Sequence, residues 1–192
     1  MRNMLDPSIN YIVSGLERSG TSMMMQMLAK ANVPVSADKK RQADENNPKG
    51  YYELEGGKII NKLMDGSFVF DQYKGSFIKI TCYGLKYLPE GNYKIIYSER
   101  NIEEILDSME KMAQINDENR QETKEIFLKL NDMIKNKIIE RRDCDILFVN
   151  YNKILEQPTD EAQRIKNFLN IENLDVESMV QTIDKRLYRQ RH

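Results

Sequence analysis

Short apolar runs alternate with segments of helical period along most of the chain, and this alternation limits the fold more than any other feature. Runs rich in branched and aromatic residues, typical of strands, lie at residues 11–14, 77–81, 93–98 and 146–150, with a weaker one at 51–54. Helical spacing of apolar residues marks residues 22–30, 102–112, 122–141, 159–169 and 175–187. Because the runs are apolar on both faces, they predict an α/β fold with three layers, α/β/α, around a mainly parallel sheet.

The length and the charge of the chain limit the number of domains and the kinds of partner to be expected. Its 192 residues suit one domain, and no repeat or linker divides them, so we expect a single domain over residues 1–192. The formal net charge of −1 argues against nucleic acid or a membrane surface as a partner. The start, MRNMLDPSIN, lacks the apolar stretch of a signal peptide, and no window approaches the ~18 apolar residues of a membrane span. We therefore expect a soluble, cytoplasmic protein.

The sequence offers no metal site. Cys82 and Cys144 lie far apart and match no metal-ligand spacing, and the single histidine is the last residue, His192. We predict that both cysteines are buried thiols and that the protein acts without a metal.

The first strand-like run leads into the loop G-L-E-R-S-G-T-S, residues 15–22. Ligands of parallel sheets bind beyond the carboxyl ends of the strands, and a loop of this outline before a helix binds phosphate through backbone N–H groups. The version that binds nucleoside triphosphates requires G-K-[ST]. Here Thr21 replaces that lysine, and the cation is Arg18 inside the loop. The loop therefore predicts a phosphate-type ligand that is smaller than a triphosphate and independent of metal.

A second anion site is predicted after residues 93–98. A magnesium-dependent enzyme of this type needs an aspartate at the end of such a strand, but Glu99-Arg100 stands there. An arginine repels a metal and attracts a phosphate. Ser108 follows eight residues later, about two turns into the next helix, so Arg100 and Ser108 could contact one anion.

Together the two motifs resemble those of sulfotransferases that use 3′-phosphoadenosine 5′-phosphosulfate (PAPS). The resemblance extends to N-P-K-G-Y-Y-E at residues 47–53 and to V-N-Y at 149–151, so it spans most of the chain. It implies that the loop binds the 5′-phosphosulfate, that Arg100 and Ser108 bind the 3′-phosphate, and that Tyr151 lies near the adenine. The loop residues to which this role is carried over are Gly15, Arg18, Ser19, Gly20, Thr21 and Ser22.

The same resemblance suggests catalytic residues. Cytosolic members have a K-T-H segment whose lysine contacts the transferring group and whose histidine is the base, whereas this chain reads Lys79-Ile80-Thr81. The lysine matches and the histidine does not, so a carboxylate is expected as the base. Other branches use a glutamate shortly after the first helix, and Glu53 is the best match; Asp38, Asp44 and Glu45 are its alternatives. Arg18 is expected to assist catalysis together with Lys79.

Each of these residues also has a structural interpretation. Arg18 and Arg100 could be solvated surface cations, and the loop hydroxyls could simply cap the following helix. Glu53 could be a solvent-exposed strand residue. Arg189, in the basic end of the chain, could reach the 3′-phosphate as basic residues near the end do in the family, or could be a solvated tail.

The sequence thus predicts transfer of a sulfuryl group from PAPS to a hydroxyl, or an amine, of a small-molecule or carbohydrate acceptor. Two alternatives remain open: an ATP-dependent small-molecule kinase, and a nucleotide-binding module without catalysis. Residues 36–50 are polar, without a clear period, and we predict a surface loop that either orders over a substrate or is a plain connection. Nothing in the loops identifies the acceptor.

Overall fold

A computed structural model of the chain describes residues 5–38, 40–44 and 47–184. The strands β1 (Asn10–Gly15), β2 (Phe77–Lys79), β3 (Tyr93–Glu99) and β4 (Cys144–Asn150) form one sheet in the order β2-β1-β3-β4. Every neighbouring pair is parallel. The predicted parallel α/β architecture is confirmed.

Helices connect and cover these strands. Their bounds are α1 (Thr21–Lys30), α2 (Ile59–Met64), α3 (Ile102–Ala113), α4 (Arg120–Ile139), α5 (Tyr151–Glu156), α6 (Pro158–Leu169) and α7 (Val176–Gln181). Three short 3₁₀ segments, Glu55–Gly57, Phe70–Gln72 and Cys82–Tyr87, lie between α1 and β3. In the described part of the chain no helix combines the length and the apolar character that crossing a membrane requires.

The sheet separates two apolar cores. Successive strand residues point to opposite faces, so Ile12 and Val13, both with 0% exposure, belong to different cores. The core around Val13 contains buried residues of α1, α5, α6 and α7, and the core around Ile12 contains those of α2, α3, α4 and the segment Cys82–Tyr87. Both faces are therefore covered, which gives three layers. The methionines of α1 fill the first core, as flexible thioether side chains commonly do.

Three predictions about local structure were wrong. Residues 51–54 are not a strand, because Tyr52 has a φ of 54°, which an extended chain cannot adopt. The last helix ends at Gln181, and residues 185–187 lie outside the described residues; Thr182 at its end donates its hydroxyl to the carbonyl of Ser178. Cys144 is only half-buried, whereas Cys82 is buried as expected.

Candidate functional site

The loop between β1 and α1 packs so closely that two positions require glycine. Gly15 has a φ of 148°, and a Cβ there would lie 2.4 Å from the carbonyl oxygen of Ser98 on the neighbouring strand. Gly20 has a φ of 102°, and its Cβ would lie 2.4 Å from a ring carbon of Tyr151. The N-cap residue of α1 is Gly20, which has no side chain to cap the helix. The first turn of α1 lines a cavity, so its positive end can bind an anion there.

Arg18 adopts a left-handed conformation inside this loop, with a φ of 65°. Such a conformation is unusual for a side-chain-bearing residue and often marks a functional position. Its Nε donates to the hydroxyl of Ser108 at 2.9 Å, and its Nη1 contacts the sulfur of Met112 at 3.6 Å. The sequence placed Arg18 and Ser108 in separate anion sites; the structure brings the two side chains into contact, so the predicted sites share a wall.

Arg100 follows β3 and lies behind the loop. Its Nε donates to Glu104 at 2.8 Å, and its Nη1 donates to the carbonyl oxygen of Arg18 at 3.1 Å. Its guanidinium carbon lies 4.5 Å from the centre of the Tyr151 ring. The Arg100 side chain is thereby fixed against the loop, and burial raises the pKa of the Tyr151 phenol, which therefore stays neutral.

Lys79, the last residue of β2, is nearly buried. Its Nζ donates to Glu53 Oε1 at 3.0 Å, to Ser22 Oγ at 3.2 Å and to the carbonyl oxygen of Tyr51. Burial lowers the pKa of the Lys79 ammonium below its ordinary value, and the Glu53 carboxylate opposes that change. The predicted lysine and base therefore form an ion pair beside the first turn of α1.

Glu53 is held by a second cation that sequence reasoning missed. Arg41 Nη1 lies 3.1 and 3.0 Å from the two carboxylate oxygens of Glu53, and its guanidinium stacks 3.6 Å from the centre of the Tyr51 ring. Arg41 belongs to the polar segment 36–50, so part of that segment reaches over the site. Nothing in the local sequence distinguishes Arg41 from its neighbouring lysines.

The alternatives to Glu53 are less well placed. Asp44 accepts a hydrogen bond from the Tyr51 hydroxyl at 2.8 Å, and Asp38 accepts from the backbone N–H of Lys40 and of Gly56. Neither carboxylate lines the cavity. Glu45 lies outside the described residues.

These groups surround one cavity of about 230 Å³. It brings together most of the predicted site residues: Arg18, Gly20, Thr21, Ser22, Glu53, Lys79, Arg100, Ser108 and Tyr151. Its cationic side chains outnumber its carboxylates, since Arg41, Lys49 and Lys111 also line it and the acids are Glu17, Glu53 and Asp184. A wall of this charge favours an anionic ligand.

Two predicted ligands, Gly15 and Ser19, are not part of this wall. Gly15 lies beneath the loop, and Ser19 is 1% exposed, with a hydroxyl that has no hydrogen-bond partner among the described residues. The Ser19 carbonyl instead accepts from Ser98 at 2.7 Å, which fixes the loop to β3. Arg189 lies outside the described residues. Within the described ranges no group of three or more histidine, cysteine, aspartate or glutamate side chains could hold a metal ion.

The fold and the cavity define an α/β protein with a candidate anion site that lacks the lysine of a nucleoside-triphosphate P-loop. A sequence model described as the sulfotransferase domain matches residues 8–191, and the chain belongs to this family. No curated protein matched the chain.

Solved sulfotransferase structures share the fold. The sulfotransferase domain of the Synechococcus PCC 7002 olefin synthase is 14% identical, with a TM-score of 0.58, over 96% of this chain and 80% of that chain. Retinol dehydratase with retinol and 3′-phosphoadenosine 5′-phosphate (PAP) is 16% identical, with a TM-score of 0.55, over 95% of this chain and 66% of that chain. The same enzyme with androsterone and PAP, 18% identical over 93% of this chain, has a TM-score of 0.50, and this chain spans 64% of its length.

Proposed function

We propose that the protein transfers a sulfuryl group from PAPS to an acceptor hydroxyl or amine. One observation carries the proposal: a single cavity joins the first turn of α1, the Lys79–Glu53 ion pair and the Arg100–Ser108 region. Membership of the sulfotransferase family supports the reaction class. The presence of PAP in the retinol dehydratase structures supports an adenosine nucleotide that carries phosphate at both ends of its ribose.

The donor groups fit such a nucleotide. The end of β1 offers a helix N-terminus, the Arg18 guanidinium and the hydroxyls of Thr21 and Ser22, which suit the 5′ group. The neighbouring end of β3 offers Arg100 and Ser108, which suit the 3′-phosphate. Tyr151 lies between these groups and would flank the nucleoside, and Arg189 remains a proposed additional contact. No metal is required, because side-chain cations supply the positive charge.

PAPS would supply the sulfuryl group, and the reaction leaves PAP. Lys79 and Arg18 would stabilise the negative charge that develops on the side of the departing nucleotide, the role of fixed cationic donors in group transfer. Glu53 would accept the proton of the acceptor hydroxyl, and a positioned base of this kind contributes roughly 10²–10⁴ in rate. The ion pair with Lys79 holds Glu53 beside the first turn of α1, which supports a base that would act close to the proposed 5′ anion site.

A non-catalytic nucleotide-binding module is the second candidate. Two observations favour it: Thr81 stands where cytosolic members of the family have a histidine, and Glu53 is held by both Lys79 and Arg41. For Glu53 to act as a base, Arg41 has to release it. Arg41 can do so because its side chain is 38% exposed, whereas Lys79 is nearly buried.

Two measurements test the proposal. Calorimetry should find PAP binding in the absence of metal, and weaker binding of ATP with magnesium. Incubation with ³⁵S-labelled PAPS and a panel of phenols, alcohols, amines and carbohydrates should label at least one acceptor. PAP binding without any labelled product would support the non-catalytic module, and magnesium-dependent ATP turnover would support a kinase instead.

A further inference from the structure

A buried carboxylate that belongs to none of the predicted groups lies directly behind the cavity. Glu104, in the first turn of α3, has 0% exposure. A fully buried carboxylate is costly unless it is paired and hydrogen-bonded. Glu104 meets that condition, because it accepts from Arg100 Nε at 2.8 Å and from Asn152 Nδ2 at 3.1 Å. Its place near the positive end of α3 also favours the negative charge.

Glu104 thereby sets the direction of the Arg100 guanidinium. The Nε–H points at Glu104 and Nη1 points at the Arg18 carbonyl oxygen, so two edges of the planar group are committed to the protein. The plane is further held over the Tyr151 ring, which itself packs against Gly20. A guanidinium is a rigid fork, so fixing two of its bonds fixes the remaining donors as well.

Glu104 also connects three elements of the site. It lies on α3, its first partner follows β3, and Asn152 lies on α5 beside Tyr151. Arg100 also donates a hydrogen bond to the carbonyl oxygen of Arg18. By holding Arg100, the Glu104 carboxylate therefore helps to fix the loop as well as the proposed ligand of the 3′-phosphate.

We infer that Glu104 is a positioning residue that gives the site its preference for a nucleotide with a 3′-phosphate. The inference rests on the proposed function, because it takes Arg100 as the ligand of that phosphate. Glu104 contacts no ligand itself. It holds Arg100 where the guanidinium lines the cavity. Its effect on the loop passes through the hydrogen bond from Arg100 Nη1 to the Arg18 carbonyl oxygen, so binding of the 5′ group should depend on Glu104 less.

The test compares two nucleotides that differ only in the 3′-phosphate, PAP and adenosine 5′-phosphate, by calorimetry on the full chain. In Glu104→Gln the negative charge is lost, so the charged hydrogen bond from Arg100 Nε becomes a neutral one. Removing a charged hydrogen bond of this kind should weaken PAP binding about tenfold or more and adenosine 5′-phosphate binding about threefold or less. The ratio of the two affinities therefore falls.

A matched control is available in Glu161→Gln. Glu161 is 4% exposed and bonds to Arg164 at 2.9 and 2.7 Å, but it lies on α6 and does not line the cavity. This variant should have a lower Tm than the wild type and the same ratio of PAP affinity to adenosine 5′-phosphate affinity. Glu104→Asp retains the charge on a shorter side chain. Its ratio of PAP affinity to adenosine 5′-phosphate affinity should lie between those of the wild type and of Glu104→Gln. This variant replaces Glu104→Gln in the test if Glu104→Gln does not fold.

The outcomes separate the two proposals. If wild-type protein shows no preference for PAP, the proposed function fails and this inference fails with it. If the wild type prefers PAP and Glu104→Gln keeps the same ratio, or weakens both nucleotides equally, only the role of Glu104 is refuted.

Discussion

Replacement of Lys79 by methionine separates its contribution to stability from its proposed contribution to catalysis. Methionine keeps the length of the apolar stem and removes the ammonium with its bonds to Glu53, Ser22 and the Tyr51 carbonyl. Glu53 keeps Arg41 as a partner, so the substitution does not leave an unpaired carboxylate.

The two effects should differ in size. Each charged hydrogen bond is worth about 1.5–3 kcal/mol, but the desolvation that lowers the pKa of Lys79 offsets much of this in the folded state. We expect a net loss of about 2 kcal/mol or less, and for a chain of this length ~1 kcal/mol corresponds to about 2–4 °C in Tm. Loss of a cationic donor to developing charge should lower kcat about 10²–10³-fold.

Circular dichroism during heating and initial rates with ³⁵S-labelled PAPS measure the two effects. Lys94→Met is the control, because Lys94 contacts Asp145 at 3.4 Å and the Phe168 carbonyl at 3.1 Å and does not line the cavity. This control should change Tm and leave kcat unaltered. A Lys79→Met enzyme with wild-type kcat would refute the assignment of Lys79 to the transferring group.

The remaining predictions concern the same cavity. Glu53→Gln should lower kcat about 10²-fold or more and leave PAP affinity unchanged, whereas Arg100→Ala should chiefly weaken PAP binding. Rate measurements and calorimetry test both variants. The opposite pattern would contradict the assignment of Glu53 as the base and of Arg100 as a phosphate ligand. Gly20→Ala should lower Tm and weaken PAP binding, since its Cβ would lie 2.4 Å from the Tyr151 ring; an unchanged Tm would mean that the ring moves freely. Because the pKa of Lys79 is lower in the folded state than its ordinary 10.5, the unfolded chain binds more protons between the two values. The wild-type free energy of unfolding should therefore rise relative to Lys79→Met as pH approaches 10.5, and urea titrations with no such rise would contradict the pKa direction.

The main features of the fold followed from local patterns. Runs that are apolar on both faces, such as residues 93–98, are typical of strands covered by helices on both sides. They predicted β1 to β4 and the parallel sheet, in which β2 and β4 lie at the edges. The weaker run 51–54 is irregular instead, because Tyr52 takes a positive φ and the Tyr51 carbonyl accepts a hydrogen bond from Lys79. The contact between Tyr51 and Lys79 joins distant parts of the chain, and the spacing of apolar residues within the segment 51–54 cannot predict it.

The sequence predicted only those candidate site residues that stand at fixed positions within a recognisable motif. Arg18 and Gly20 stand at fixed positions in the loop, and Arg100 and Ser108 are eight residues apart, so a motif could identify them. Arg41 escaped prediction because its contact with Glu53 spans twelve positions across irregular chain. Glu104 lies four residues after Arg100, and this spacing could have indicated the ion pair between them. The same spacing is common in exposed ion pairs of helices, so it does not indicate a buried residue near a site.

The contact between Arg18 and Met112 would link anion binding to the oxidation state of the Met112 thioether. A thioether is a weak acceptor, so the 3.6 Å contact leaves the guanidinium available to a ligand. Peroxide would convert Met112, which lines the cavity, into a sulfoxide whose oxygen is a strong acceptor. That oxygen would compete with an incoming anion for Arg18, and enzymatic reduction of the sulfoxide would make the guanidinium available to the anion again.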